Sequence, residues 1–277
     1  MKSKDLTIII VTFKSEEKIL NCLKEIKSEI PVIVIENSSN QNFKKMVEEK
    51  FKNVKCILTG GNKGYAVANN IGLRLVKTKF SLVLNPDAIL NSQSIDNFLI
   101  TANKVKDFWL IGPATGQIVN FDFSKDNLKE VDNIKGFAIF FNMSKFNQDF
   151  FDENYFLYFE EIDLCRKIKK NKGKIYLDNN IIINHEGAGS VLKNNDLELE
   201  KNRNWHWMWS TFYYHKKYNG YIFATILIFP KLISALFKTL FYITILNKKK
   251  RDIYFYRLSG IFNSMIGQKS WYRPALD

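Results

Sequence analysis

Short apolar runs alternate with amphipathic segments along the first hundred residues of the chain. The first run, Leu6 to Phe13, is rich in β-branched residues and almost all apolar, which is typical of a strand buried on both faces. Apolar residues then recur at helical spacing over 16–27, and Pro31 ends this helix before a second apolar run at 32–36. This order of strand, helix and strand predicts a βαβ unit.

The alternation continues and predicts a doubly wound α/β sheet. Further helices are predicted over 42–51, 65–77, 94–105 and 161–170. Further strands are predicted at 54–58, 80–84, 137–142, 174–177 and 180–184.

Polar and small residues follow several of the predicted strands. Phe13, Glu36, the loop 59–64 and the segment from Asn85 to Asp87 each stand at a strand end. In sheets of this class, ligands bind beyond the carboxyl ends of the strands. We therefore expect these four positions to converge on one cleft.

The composition changes near Trp205, where the chain becomes aromatic and basic. The net charge is +13, and residues 201–277 hold 13 basic and two acidic side chains, so the first 200 residues are almost neutral. A tail that is both basic and apolar suits a membrane surface better than a nucleic acid. A nucleic acid partner is therefore not expected.

The apolar run over 221–246 is long enough for a helix that crosses a membrane. However, Pro230, Lys231 and Lys238 interrupt it, and Ser234 shares one helical face with the two lysines. This periodicity favours a helix lying in the membrane interface, while a crossing helix and a buried helical pair remain alternatives. The basic run at 248–251 would then meet anionic headgroups.

The cysteines and the N-terminal sequence bear on the cellular compartment. Cys22, Cys56 and Cys165 show no paired spacing, so neither a disulfide framework nor a thiolate zinc site is expected. The first apolar run is too short for a signal peptide and lacks a small-residue cleavage site. We therefore expect a reducing, cytoplasmic environment.

Three segments carry candidate chemistry. Asp87, after Asn85 and Pro86, could hold a divalent cation against a diphosphate, although the same triplet is typical of a turn. The glycine-rich segment 60–72 allows close approach of a nucleotide before a helix, or simply makes a tight turn. Acids at 160–163 stand at a predicted helix start, where they either cap the helix or include a partly desolvated general base.

Taken together, these segments resemble family 2 glycosyltransferases, and most closely the rhamnosyltransferase-like branch. The resemblance runs from about 6 to 190. It rests on the first strand, the turn at 36–38, the segments 62–65 and 70–72, Asn-Pro-Asp at 85–87, Phe-Asp-Glu at 151–153, the FEEIDLCR segment at 159–166, and His185 with Gly189 and Ser190. It implies a GT-A type nucleotide-sugar-binding fold with a mostly parallel central sheet.

The resemblance also implies roles for residues toward the sugar donor. Thr12 and Phe13 would line the base pocket, and Glu36 would accept a hydrogen bond from the pyrimidine, where the family usually has Asp. Asp87 would bind the divalent cation, Mg²⁺ or Mn²⁺, and His185 resembles a position that completes the metal shell. The remaining donor-binding positions are Asn62, Gly64, Tyr65, Asn70 and Asn85, the last replacing an acid of the commoner Asp-x-Asp pattern.

The catalytic base of the family is the second acid of a Glu-Asp pair, which here is Glu161, and Glu160 remains the alternative. Asp163 and Arg166 would orient the acid helix and the acceptor loop. An inverting transfer without a covalent intermediate is expected. The change in composition at Trp205 predicts a catalytic domain over 1–204, followed by an amphipathic, membrane-associated helical region over 205–277.

The expected acceptor is a lipid-linked or cell-surface glycan, and the expected location is the cytoplasmic face of the inner membrane, as a peripheral protein. Rhamnose is the sugar that the resemblance suggests. Two other functions are kept as alternatives: transfer of a sugar to polyprenyl phosphate, and a noncatalytic nucleotide-binding membrane module.

Overall fold

The computed structural model describes residues 3–90, 92–114, 127–185 and 196–273. Ten strands occur in these residues. In chain order they are β1 (Leu6–Thr12), β2 (Val32–Glu36), β3 (Val54–Leu58), β4 (Phe80–Leu84), β5 (Ala88–Ile89), β6 (Leu110–Pro113), β7 (Leu128–Glu130), β8 (Ala138–Asn142), β9 (Ile175–Asp178) and β10 (Asn184–His185).

The described residues also form eight α-helices and two short 3-10 helices, at Ser3–Asp5 and Met143–Lys145. The α-helices are named in chain order. They are α1 (Glu16–Lys24), α2 (Gln41–Lys50), α3 (Gly64–Leu75), α4 (Ser92–Val105), α5 (Glu160–Lys170), α6 (Asp196–Asn219), α7 (Tyr221–Thr244) and α8 (Lys248–Met265). The first five alternate with strands, whereas the last three follow one another without a strand between them.

The central sheet has eight strands in the order β3-β2-β1-β4-β8-β6-β9-β7. The first four are mutually parallel, β8 runs antiparallel to both its neighbours, and β6 is parallel to β9. Strand order reverses around β1, which has β2 on one side and β4 on the other. The predicted doubly wound, mostly parallel α/β sheet is thus confirmed.

The bounds of one predicted strand are wrong, and strands β5, β6 and β7 were not predicted. The strand predicted at 180–184 forms only at Asn184 and His185, because Asp178 accepts hydrogen bonds from the backbone N–H groups of Asn180 and Ile181 and so makes a turn there. Strand β6 was not predicted at all, since its apolar run is short and ends in Gly-Pro. Only pairing with β8 and β9 reveals it as a strand.

The core of the sheet is apolar and aromatic. Residues of β1, β2 and β4 are almost completely buried, including Ile8, Ile10 and Leu82 at 0% exposure. On β8, Phe140 stacks on Phe98 of α4 with ring centroids 5.1 Å apart. This core holds the parallel strands in register and so fixes where their carboxyl ends lie.

The chain divides into two compact units. One, the α/β unit, comprises Met1–Asp152 and Glu161–Leu192, and the other, the helical unit, comprises Glu153–Glu160 and Lys193–Asp277. The predicted domain boundary between residues 204 and 205 falls inside α6, which begins at Asp196. The assignment of a catalytic domain and a membrane-associating region stays a prediction.

Helices α6, α7 and α8 pack on one another in the helical unit. Their shared core contains Met208, Phe212, Ile228 and Ile261. At Gly260 a Cβ atom would collide with the backbone carbonyl of Trp205, so only glycine allows α8 to approach α6 this closely. The helical unit therefore has a core of its own.

Helix α7 buries only a narrow stripe of its surface. It runs without interruption through Pro230, and its buried residues are Ala224, Ile228, Ala235 and Thr239. Within the described part of the chain, α7 is the one helix long and apolar enough to cross a membrane, with a mean hydropathy of 1.7 over the best 18 residues, of which 17% are buried. Length and composition alone give it this property.

Candidate active site

The carboxyl ends of β1, β2 and β3 lie side by side, as predicted. Glu36 is paired with Thr12 on one side and with Leu58 on the other. The Thr12 side chain is 2% exposed, and its hydroxyl oxygen has no hydrogen-bond partner among the described residues. A buried hydroxyl at a ligand-binding edge that lacks a protein partner fits a site completed by a bound molecule.

Asn37 joins β2 to the glycine-rich loop. Its side-chain nitrogen donates to Asn62 Oδ1 at 3.1 Å, and its Oδ1 accepts from the backbone N–H of Lys63 at 2.9 Å. The hydroxyl of Thr59 also donates to this Oδ1, at 3.1 Å. The sequence pattern assigned no role to Asn37, because its partners lie more than twenty residues along the chain.

The Glu36 carboxylate organises the turn that follows β2. It is 2% exposed and accepts from the Ser38 hydroxyl at 2.7 Å, and from the backbone N–H groups of Ser38 and Asn40, each at 3.2 Å. Most of these bonds go to Oε2, so Oε1 keeps an acceptor site for a further donor. The carboxylate that is predicted to contact the base of the donor therefore also stabilises the turn after β2.

The glycine-rich loop leads directly into α3. Asn62 Oδ1 accepts from the backbone N–H of Gly64 at 3.0 Å, and Gly64 has a φ of 81°, which a residue with a side chain rarely adopts. The next residue, Tyr65, donates its hydroxyl to the carbonyl of Gly136 at 2.6 Å. Tyr65 therefore links the loop to the segment before β8.

Asn70 serves a structural purpose within the α/β unit. Its side-chain nitrogen donates to the Phe151 carbonyl at 2.9 Å, and its Oδ1 accepts from the Phe151 N–H at 3.1 Å. Both ends of the amide thus hold the backbone of residue 151. The role of Asn70 toward the donor stays a prediction.

Asp87 lies in the turn between β4 and β5. The turn is closed by the Ala88 N–H, which donates to the Asn85 carbonyl at 3.1 Å, while the Asn85 N–H donates to Phe137 at 2.8 Å. Asp87 is 7% exposed. The triplet is therefore both a turn and a means of placing a buried carboxylate beside the ends of the parallel strands.

Asp87 is the predicted ligand of a divalent cation, and His185 is the residue predicted to complete the metal shell. The backbone of His185 pairs with Ala88, the residue that follows Asp87. Carboxylate oxygens are ligands that suit Mg²⁺ and Mn²⁺ alike. No cluster of three or more His, Cys, Asp or Glu ligands occurs in the part of the chain that the structure describes. Gly189 and Ser190 lie outside the described residues.

Glu161 occupies the first turn of α5. Desolvation raises the pKa of its carboxyl, although the helix N–H groups of Glu161 and Ile162 and the charge of Lys135 partly oppose this effect. A Cβ atom placed on Gly136 would lie 3.5 Å from Glu161 Cδ, so the carboxyl packs beside the segment that Tyr65 holds. A raised pKa makes the carboxylate a stronger proton acceptor.

The other predicted residues of α5 differ in burial. Glu160 is 3% exposed and Asp163 is 1% exposed, whereas Arg166 is partly exposed. Both acids engage other groups within the protein. Glu160 is grouped with the helical unit and Glu161 with the α/β unit, although both lie in the first turn of α5.

Two consecutive residues before α5 have left-handed backbone conformations. Tyr158 and Phe159 have φ values of 72° and 74°, which are uncommon for residues with bulky side chains. Both rings contact Trp207 of α6, with centroids 5.3 and 5.4 Å away. Backbone strain of this kind is concentrated at functional sites, and the sequence pattern had no signal for it.

The cysteines contribute no reactive group near these residues. Burial raises the pKa of Cys22 and Cys165 to about 12, and in Cys22 the negative charge of Asp87 adds to the effect. Both thiols therefore stay protonated at neutral pH, which makes them poor nucleophiles and poor metal ligands.

Comparison with known protein families identifies the α/β unit. Residues 7–163 match the family described as Glycosyl transferase family 2. The chain belongs to this family. The match confirms the family resemblance that the sequence motifs predicted, and it includes every proposed donor-binding residue from Thr12 to Asp87 as well as Glu161.

Relatives of known activity cover part of the chain. The low-salt glycan biosynthesis hexosyltransferase Agl10 of Haloferax volcanii is 29% identical over 193 residues, which are 60% of this chain and 62% of that protein. The teichoic acid poly(glycerol phosphate) polymerase of Staphylococcus epidermidis is 30% identical over 138 residues, 47% of this chain and 18% of the polymerase. The matches thus span less than two thirds of either relative.

Solved structures share the fold. The mannosyltransferase PcManGT of Pyrobaculum calidifontis, solved with GDP-Man and Mn²⁺, has a TM-score of 0.58 and 11% identity, and the match covers 94% of this chain and 87% of that one. TarS of S. aureus has a TM-score of 0.53 and 16% identity, covering 72% and 39%. With the family match, these similarities confirm the GT-A type α/β fold followed by C-terminal helices.

Proposed function

We propose that this protein is an inverting glycosyltransferase that moves a sugar from a nucleotide diphosphate to a hydroxyl of a lipid-linked or cell-surface glycan. The observation that carries the proposal is the family match over residues 7–163, which contains the proposed donor residues and the proposed base. The geometry of the α/β unit supports it, because these residues stand at the ligand-binding edge of the sheet.

The base and ribose of the donor would bind at the ends of β1 and β2. Thr12 offers a buried hydroxyl and Phe13 an apolar wall, while Glu36 retains an acceptor site on Oε1. The hydrogen bonds of Asn37 hold the loop containing Asn62 and Gly64 in place beside them. A binding edge that is ordered before the donor arrives loses less entropy on binding.

Asp87, with His185, would hold a divalent cation. A bound Mg²⁺ or Mn²⁺ would stabilise the negative charge that develops on the leaving diphosphate. Asp87 is suited to this task because its turn lies at the end of β4, next to the strands that would hold the nucleotide. The neighbour PcManGT was solved with Mn²⁺.

Glu161 would take the proton from the acceptor hydroxyl. Its raised pKa strengthens it as a base, and its position in the first turn of α5 is set by contacts with Gly136. As the hydroxyl oxygen attacks the anomeric carbon, the bond to the diphosphate breaks on the opposite face, so the configuration inverts in one step. Asp163 and Arg166 would orient the helix and the acceptor rather than react.

The acceptor would be membrane-bound. The exposed apolar surface of α7 and the lysines that begin α8 suit a peripheral association with the cytoplasmic face of the inner membrane. Among the relatives, one is named for glycan biosynthesis and another as a teichoic acid polymerase, which are consistent with envelope or surface glycans. We propose a hexose as the sugar, and rhamnose from the rhamnosyltransferase-like motifs as the first to test.

The test is release of nucleoside diphosphate from a panel of thymidine, uridine and guanosine diphosphate sugars, with and without Mn²⁺. Asp87→Ala and Glu161→Gln are assayed beside the wild type, and Glu17→Gln, an exposed acid of α1, is the matched control. We expect metal-dependent release that both site variants lose and the control keeps. Anomeric NMR of the product then reports inversion, and a retained configuration would refute the mechanism.

Two other results point to the alternatives. Nucleotide binding without release, even with lipid extracts as acceptors, would indicate a noncatalytic membrane module. Transfer of labelled sugar into a single-sugar lipid that is stable to glycan-cleaving treatment would indicate a polyprenyl phosphate acceptor.

A further inference from the structure

Helices α7 and α8 enclose a cleft of about 220 Å³ on the helical unit. It is lined by Pro230, Lys231, Ser234, Ala235, Lys238, Tyr254 and Arg257. The first five lie along one side of α7 and the last two on α8. The cleft therefore gathers three cationic groups and two hydroxyls from two helices around one small volume.

No carboxylate lines the cleft, and within the described residues none forms an ion pair with Lys231, Lys238 or Arg257. The one acid of α8, Asp252, instead contacts Arg251 at 2.6 Å and Lys201 at 3.9 Å. Three like charges that lack a counter-ion repel one another, so an anion in the cleft would be stabilised by all three.

The ring of Tyr254 fixes the positions of two of the cations. Lys238 Nζ lies 5.0 Å from its centroid, and the Arg257 guanidinium lies 5.8 Å away on the same ring. Arg257 also donates to the sulfur of Met208 at 3.7 Å. These contacts hold long, flexible side chains near the cleft, which lowers the entropy lost when they bind an anion.

Large apolar side chains flank the cleft along α7. Phe237, three residues after Ser234, is 66% exposed. Phe241, three residues after Lys238 and seven after Ser234, is 56% exposed. A site for a freely dissolved anion has no need of such surroundings, whereas a lipid presents a charged headgroup and acyl chains together.

We infer that this cleft binds the phosphate of an anionic membrane lipid, with Lys231, Lys238 and Arg257 as its cationic ligands and the flanking apolar residues in the acyl region. This rests on the membrane association in the proposed function and deepens it. A phosphate in the cleft would fix the helical unit in one orientation on the membrane, which a diffuse positive surface cannot do.

The test is flotation of the full-length protein with vesicles of phosphatidylcholine alone or with added phosphatidylglycerol. Lys231→Gln/Lys238→Gln removes two cleft charges, and Lys248→Gln/Lys250→Gln removes two exposed charges at the start of α8 as the matched control. We expect the cleft variant to lose at least about tenfold more affinity for anionic vesicles than the control. Equal losses would show diffuse electrostatics and overturn the inference.

A variant that keeps every charge tests whether the shape of the cleft contributes to lipid binding. Ser234→Leu fills the cleft, whereas Thr244→Leu adds the same apolar group at an exposed position outside it. The ratio of anionic to neutral vesicle binding should fall about tenfold in Ser234→Leu and stay unchanged in Thr244→Leu. An unchanged ratio in Ser234→Leu would contradict a phosphate site. Circular dichroism and thermal unfolding confirm that the variants are folded.

The remaining outcomes separate this inference from the function on which it rests. No flotation on either vesicle type would refute membrane association, and the cleft inference with it. Flotation that ignores lipid charge would refute the cleft alone and leave membrane association intact. Stabilisation of the wild type against heat by inorganic phosphate, at matched ionic strength and without vesicle binding, would make the cleft a site for a dissolved anion and overturn the lipid assignment.

Discussion

The two units of this protein treat apolar side chains in opposite ways. In the α/β unit the strands bury almost all of theirs, and the polar groups at the strand ends are themselves largely buried, such as Thr12, Glu36 and Asp87. In the helical unit, α7 leaves most of its apolar surface exposed, including Phe229 and Phe237 at 55% and 66%. The α/β unit therefore buries its apolar residues and the polar groups at its strand ends, whereas the helical unit exposes an apolar surface on α7.

The two patterns of burial indicate different binding partners for the two units. A buried polar group costs free energy unless a partner or ligand satisfies it, so the Thr12 hydroxyl, which has no partner among the described residues, supports a ligand at the strand ends. An exposed apolar surface costs free energy in water, so α7 indicates a partner or a lipid environment. The following predictions test this contrast, beginning with the largest expected effect.

The adjacent acids Glu160 and Glu161 provide the sharpest test. Glu161→Gln should lower the transfer rate by about 10²- to 10⁴-fold, because it removes the proposed general base. Glu160→Gln, which alters a residue of the helical unit, should lower it far less. The measurement is steady-state transfer with each variant. If Glu160→Gln is inactive and Glu161→Gln is active, the general base is Glu160, and its assignment to Glu161 is wrong.

The raised pKa of Glu161 predicts how the transfer rate and the stability depend on pH. Because desolvation raises the pKa of Glu161 above its ordinary value of 4.5, the transfer rate should fall with decreasing pH at a pKa higher than that value. Stability depends on pH in the opposite direction to the transfer rate. Folding is favoured when Glu161 is protonated, and this contribution to the free energy of unfolding is lost as the pH rises through the raised pKa. Glu161→Gln should remove this contribution, which thermal unfolding across pH would detect.

Substitution of phenylalanine by alanine compares the buried core of the α/β unit with the exposed surface of α7. Phe140→Ala on β8 should lower the free energy of unfolding by about 3–5 kcal/mol, because Phe140 is fully buried among aromatic rings. Phe237→Ala on α7 should change it by less than about 0.5 kcal/mol in solution, because this side chain is exposed. Urea unfolding measures both. A large effect at Phe237 would mean that α7 is packed rather than displayed.

The amide of Asn70 tests the polar organisation of the α/β unit. Asn70→Ala removes both hydrogen bonds to the Phe151 backbone and leaves the N–H and carbonyl of Phe151 without these partners. This should lower the free energy of unfolding by about 2–4 kcal/mol. Asn97→Ala, which removes an exposed bond to Asn180, should cost less than about 1 kcal/mol. Equal losses in thermal unfolding would indicate that burial does not strengthen this contact.

The smallest effect is expected where the helical unit is most tightly packed. Gly260→Ala places a methyl group against the backbone carbonyl of Trp205 and should cost about 1–3 kcal/mol. Phe255→Ala, at an exposed site of the same helix, is the control. A stable Gly260→Ala variant would show that α6 and α8 can move apart without loss.

Much of the α/β unit follows from local sequence. Strands β3 and β4 form where they were predicted, because runs such as Val54–Leu58 and Phe80–Leu84 are apolar, short and bounded by turn residues. The strand β6 was missed, since its few apolar residues become a strand only by pairing with β8 and β9. The same limit applies to Asn37, whose partners are distant in the chain.

The amino-acid sequence by itself determined the alternation of strands and helices, the positions of the polar strand ends and the amphipathic, basic character of the C-terminal region. These are properties of neighbouring residues, and periodicity reports them. Only the tertiary structure decided which side chains meet: the pairing of Glu36 with both neighbouring strands, the desolvation that raises the pKa of Glu161, and the cleft that joins Lys238 to Arg257. Such contacts depend on long-range packing, which local patterns do not encode.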